Sequence, residues 1–105
     1  MKNTEELLQA IKRSIQTIDP LASLILFGSY ARGDNRDDSD IDLLILISKD
    51  GRATYEDRYR ITAPIHDIEL KTGTVISSIV RTKKEWANQM VTPFSENVSR
   101  EGKLI

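Results

Sequence analysis

The chain contains no cysteine and a single histidine. Without thiols, a disulfide, a thiolate metal centre and a cysteine nucleophile are all excluded, and one imidazole excludes a histidine-rich metal site. The three prolines are scattered, and there is no repeat, low-complexity tract or linker. Neither sign of charge dominates: 15 basic residues face 16 acidic ones, for a net charge of -1. A non-specific grip on nucleic acid through bulk positive charge is therefore not expected. No apolar run approaches the length of a membrane span. The opening residues, MKNTEELLQA, are polar and acidic, unlike the apolar core of a signal peptide. A cytoplasmic protein with no membrane contact is expected.

What remains is ordinary for a globule: 105 residues, 39% hydrophobic and 30% charged. That length suits one small domain spanning residues 1–105, with a modest core. Thr4 is placed to cap a first helix. Glu5 and Glu6 follow in its first turn, and Leu7, Leu8, Ile11, Ile15 and Ile18 fall on one helical stripe. Asp19-Pro20 ends it. Residues 21–27 (LASLILF) and 41–47 (IDLLILI) are short apolar runs that read as buried strands, separated by a loop dense in Gly, Asp, Asn and Ser. Residues 52–71 show mostly helical spacing, with Gly73 beyond the end, although Pro64 argues for a kink or break. Residues 74–80 (TVISSIV) are β-branched and predict a third strand. Thr82-Lys83-Lys84-Glu85 fits a capping box that opens a short helix with Trp86 and Met90 inward. Thr92-Pro93 suits the start of a last helix ending near Gly102. The order α-β-β-α-β-α-α defines an α+β domain with a small mixed β-sheet and helices packed on it.

The chemistry concentrates in GSYARGD at residues 28–34 and SDIDLLI at residues 39–45. Residues i and i+2 of a strand point to the same face, so Asp40 and Asp42 place two carboxylates side by side. Their repulsion asks for a cation, and hard oxygen ligands suit Mg²⁺, which keeps waters and takes substrate phosphates as further ligands. Gly28 has no side chain and lets a phosphate approach the backbone. The Ser29 hydroxyl and nearby amides can donate to phosphate oxygens, especially if residues 30–32 begin a helical turn, and Arg32 or Arg36 adds positive charge. These are parts for holding a nucleoside triphosphate with its metal.

Gly28-Ser29, ten residues, then Asp40-Ile41-Asp42 resembles the G-S-x10-D-x-D signature of the DNA polymerase beta-like nucleotidyltransferase superfamily. The string around it is similar to the minimal, single-domain prokaryotic branch. The specific match covers about residues 24–47. The resemblance implies that Gly28 and Ser29 contact the β- and γ-phosphates and that Asp40 and Asp42, the catalytic pair, hold two Mg²⁺ ions. The reaction implied is transfer of a nucleoside monophosphate, AMP from ATP, to a hydroxyl of a protein or small molecule. The alternative it implies is a catalytically weak nucleotide-binding subunit, the antitoxin partner of a helical protein of the HEPN type.

One departure from the family pattern stands out. A third carboxylate is usual on a later strand beside the first two, yet residues 74–80 contain none, and Ser77 or Ser78 stands in its place. Asp67 and Glu69 are the nearest candidates to complete the metal site. They reach it only if residues 65–70 form a strand or the end of the helix bends over it. Asp34, Asp37 and Asp38 read as a solvated acidic loop. A calcium loop is set aside, because Leu43 stands where the required glycine would be. His66 reads as a partly exposed helix residue, Lys83 and Lys84 as a solvated helix start. Tyr55, Tyr59, Trp86 and Phe94 read as packing residues.

Overall fold

The computed structural model describes residues 4–105. Residues 1–3, part of the polar opening stretch, lie outside the described residues. In chain order the elements are α1 (Thr4–Ile18), β1 (Ser23–Phe27), α2 (Ser29–Arg32), β2 (Ile41–Ile47), α3 (Tyr55–Thr72), β3 (Ile76–Thr82), α4 (Lys83–Asn88), α5 (Pro93–Glu101) and β4 (Lys103–Leu104). The four strands form one mixed sheet in the order β3-β2-β1-β4. β1 runs antiparallel to both β2 and β4, while β2 and β3 are parallel. A parallel pair needs a crossover, and α3 provides it. The fold is α+β.

Strand β2 is buried on both faces, which is why residues 41–47 read as a continuous apolar run rather than an alternating one. Ile41, Leu43, Ile45 and Ile47 join Leu24, Leu26, Ile76 and Val80 against Leu7, Ile11 and Ile15 of α1 and Ile61 and Ile65 of α3. On the opposite face Leu44 and Leu46 join Val98 of α5, with Ile25, Phe27, Ile79, Trp86 and Phe94 packed around them. Phe94 meets Phe27 and Trp86 edge-on, at ring-centroid distances of 5.5 and 6.0 Å. Each of the fully buried Ile and Leu side chains contributes about 1.5–3 kcal/mol, so the sheet's two faces hold most of the fold's stability. Among the described residues no helix is long and apolar enough to cross a membrane.

Helix starts follow the capping chemistry. Thr82 pairs with Glu85 in a full capping box, and Thr92 pairs with Ser95 just ahead of Pro93. Thr54 forms a third box with Asp57, so α3 begins at Tyr55 rather than at residue 52. It runs through Pro64 without a break. A mid-helix proline costs about 3 kcal/mol, and buried Ile61 and Ile65 on either side anchor the helix across it. Gly73 adopts the left-handed conformation and ends it.

The structure corrects the expected order in three places. β3 spans residues 76–82 rather than 74–80, because Thr82 is at once the last strand residue and the cap of α4. α4 stops at Asn88, so Met90 is not inward but 84% exposed. The two-residue β4 was not expected, whereas the short α2 is the helical turn that residues 30–32 allowed for. β4 exists through its pairing with Ile25 and Leu26 of β1, not through a pattern of its own.

Candidate active site

Antiparallel pairing sets Phe27, the last residue of β1, opposite Asp42 of β2. The next residue, Gly28, therefore lies against the Asp42 side chain. Its backbone has φ 75° and ψ -156°, a region open essentially to glycine. A Cβ built there would stand 2.2 Å from Asp42 Oδ2. Glycine is required twice over, by dihedral and by the carboxylate beside it. From Gly28 the chain turns at once into α2, with the Ala31 and Arg32 N–H groups donating to the Gly28 carbonyl.

Leu44 and Leu46 face α5, so by alternation Asp42 faces that side too. It is half-buried. Burial pushes its carboxyl above the ordinary value, the negative charges of Asp40 and Glu101 push it further, and Arg32 opposes them. Asp40 is exposed, just ahead of β2. Arg32, in α2, pairs with Asp34 at 3.1 Å and with Glu101 at 3.0 Å. Glu101, in the last turn of α5, also accepts the Gly28 N–H at 3.2 Å. Arg32 holds its carboxyl below the usual range against the effect of burial, with help from the Gly28 N–H. Gly28, Ser29, Arg32, Asp40 and Asp42 thus meet at one corner, at the Phe27 end of β1 and the Ile41 end of β2.

Asp67 and Glu69 do not join them. Both lie on α3, which packs on the other face of the sheet. Glu69 accepts the Ile76 N–H at 2.8 Å and faces His66 at 3.4 Å, while Asp67 is exposed. The β2–β3 register sets Ser77 opposite Asp42. Tyr55 and Tyr59 are exposed on α3. Among the described residues no group of three or more His, Asp or Glu side chains is placed to hold a metal ion. A Mg²⁺ ion nevertheless fits the donor set of two adjacent carboxylates, since it is commonly bound through one or two carboxylates plus substrate phosphates. The like charges around Asp42 are what such a cation would relieve.

Glu101 is the site residue that reading along the chain does not find. It lies 73 residues from Gly28 and outside any spacing motif. One signal exists: it is an acid in the last turn of a helix, where the macrodipole disfavours anions. Such a placement asks for a partner elsewhere, and Arg32 is that partner.

Residues 8–104 match the nucleotidyltransferase domain family, and the chain belongs to it. It is 39% identical over 99 residues to a protein of Methanocaldococcus jannaschii named as a candidate protein adenylyltransferase, covering 92% of this chain and 93% of the relative. A second protein of that organism, with the same kind of name, is 34% identical over 104 residues, covering 99% of this chain and 95% of the relative. Among solved structures the fold is similar to a toxin–antitoxin protein crystallised with AMP-PNP, with a TM-score of 0.64 and 18% identity, covering 91% of this chain and 69% of that one. It is also similar to a candidate nucleotidyltransferase of Sulfolobus solfataricus, with a TM-score of 0.63 and 23% identity, covering 94% of this chain and 76% of that one.

Proposed function

We propose that this chain binds a nucleoside triphosphate at the corner between Gly28 and Asp42 and transfers its nucleoside monophosphate, AMP from ATP, to a hydroxyl group of a protein. The observation that carries the reading is the fit of the Asp42 carboxylate against the bare Cα of Gly28. A phosphate-approach glycine and a metal-type carboxylate are built as one unit. The names of the relatives from Methanocaldococcus jannaschii support adenylyl transfer to a protein.

In this reading Gly28 lets the polyphosphate close on the backbone, the Ser29 hydroxyl donates to it, and Arg32 supplies positive charge. Asp40 and Asp42 hold Mg²⁺. When bound, the cation neutralises phosphate charge and polarises the reacting oxygens. The acceptor oxygen bonds the α-phosphorus as its hydroxyl proton passes to solvent, and the bond from the α-phosphorus to its bridging oxygen breaks to release pyrophosphate.

Ser77 beside Asp42 favours a second reading, that of a nucleotide-binding subunit with slow or absent transfer. The toxin–antitoxin neighbour suits such a subunit, and a helical protein of the HEPN type would then be the partner. Calorimetric titration of ATP with Mg²⁺ and then with EDTA tests the shared site. Metal-dependent binding is expected in the native chain and none in Asp42→Asn; equal binding by both would overturn the site. Movement of label from the α-phosphate of ATP onto protein then supports transfer. Binding without any such movement supports the subunit reading.

A further inference from the structure

We propose that Glu101 biases which anions this corner accepts: its carboxylate occupies the donors that a phosphate needs, so that a polyphosphate enters more readily with cations to neutralise it. The proposal rests on the nucleotide-binding reading above and deepens it. Glu101 Oε1 accepts the Gly28 N–H at 3.2 Å, and Oε2 accepts an Arg32 guanidinium N–H at 3.0 Å. One carboxylate thus engages the loop's glycine amide and its arginine together, much as a phosphate would.

The carboxylate is delivered by a segment fixed on the same strand that leads into Gly28. Beyond Glu101 the Gly102 N–H donates to the Val98 carbonyl at 2.7 Å. A Cβ at Gly102 would lie 2.4 Å from that oxygen and 2.8 Å from Ile25 of β1, so the turn is tight. Lys103 and Leu104 then pair with Leu26 and Ile25, and the Ile105 N–H donates to the Leu24 carbonyl. Residue 101 therefore has little freedom to withdraw, although its side chain can rotate away.

Charge completes the argument. Asp40 and Glu101 both act on Asp42, while Arg32, the cation that opposes them there, is already engaged by Asp34 and Glu101. A bare phosphate group meets both a taken donor set and net negative charge. A polyphosphate whose charge is balanced by Mg²⁺ still displaces the carboxylate from those donors, but it is relieved of the net negative charge. Glu101 therefore discriminates against metal-free phosphates.

Glu101→Gln keeps the shape and one acceptor oxygen but removes the charge. The probe is inorganic tripolyphosphate, titrated calorimetrically into the native chain and into E101Q, once with EDTA and once with Mg²⁺. In EDTA, E101Q should bind roughly fivefold more tightly than the native chain, the size of a partly exposed charge interaction. With Mg²⁺ the two proteins should differ by less than about twofold. An unchanged ratio, or weaker binding by E101Q in both conditions, would overturn the proposal while leaving the site in place. Failure of tripolyphosphate and Mg-ATP to bind either protein would overturn the nucleotide reading and this one with it. A measurement on the native chain is independent of how the variant folds. The Gly28 amide resonance should shift on saturation with Mg-tripolyphosphate, as its carboxylate partner is displaced. Binding that leaves that resonance in place would also overturn the proposal.

Discussion

At the Ile47 end of β2, Asp19 and Asp57 are surrounded by donors; at the Ile41 end, Asp42 faces other acids. Asp19 accepts the Ser48 N–H and hydroxyl at 2.7 and 2.8 Å and the Leu21 N–H at 3.1 Å. Burial pushes its carboxyl up, but these hydrogen bonds outweigh that and hold it below the ordinary value. Asp57 accepts Lys49 Nζ at 2.7 Å and the Thr54 N–H at 2.8 Å, and Lys49 first of all holds its carboxyl well below the usual range. Asp42 is pushed the other way. The same residue type is thus made a structural fixture at one end of a strand and left among like charges at the other. Unmet demand, rather than the presence of acids, marks the functional end.

Four substitutions sharpen this contrast. Gly28→Ala should have the largest effect, because it forces a Cβ into the Asp42 carboxylate and a dihedral region that alanine avoids. A loss of about 1–3 kcal/mol is expected, readable by urea denaturation. Second comes the acid limb. A carboxyl with a depressed folded pKa adds stability that is present above the unfolded value, near 4, and is lost as pH falls through the folded one. Melting temperature should therefore decline below about pH 4, and Asp57→Asn should lower it at neutral pH while flattening that decline. Third, Thr54→Ala removes one cap of α3 and should cost about 1 kcal/mol with ATP affinity unchanged. The smallest effect has the opposite sign. Asp42 has a raised folded pKa, so its favourable contribution is present at low pH and lost as pH rises through that value. Asp42→Asn should melt slightly higher than the native chain at pH 7 and show no gain at pH 3. A lower midpoint at pH 7 would show that the Asp42 charge is already satisfied within the chain.

Much of this was legible in the residues. The Gly28-Ser29 and Asp40-Ile41-Asp42 spacing is local to one hairpin, and antiparallel pairing converts it directly into proximity. The caps at Thr82 and Thr92 depend on three-residue offsets and appear where expected. The rest depends on distant contacts or on element ends that local pattern does not mark. β4 is two residues long and exists only as a partner of β1. The start of β3 was placed two residues early, because Thr74 and Val75 are as β-branched as the strand they precede. Met90 follows the apolar spacing of α4, but the helix has ended by then. Glu101 reaches the site through tertiary packing, which no motif encodes.

Thr82 fixes more than the start of α4. Its side chain is fully buried, donating to the Gly51 carbonyl at 2.6 Å while accepting the Glu85 N–H at 3.0 Å. These bonds hold one end of β3, and a slip of one residue would break them and turn Ile76 and Val80 away from the core. The position opposite Asp42 therefore belongs to Ser77 and cannot be traded with Ser78 by sliding the strand. Gain or loss of an acid there is a one-residue change on an unaltered scaffold. Chemical competence at this corner would then change with no change in the backbone that frames it.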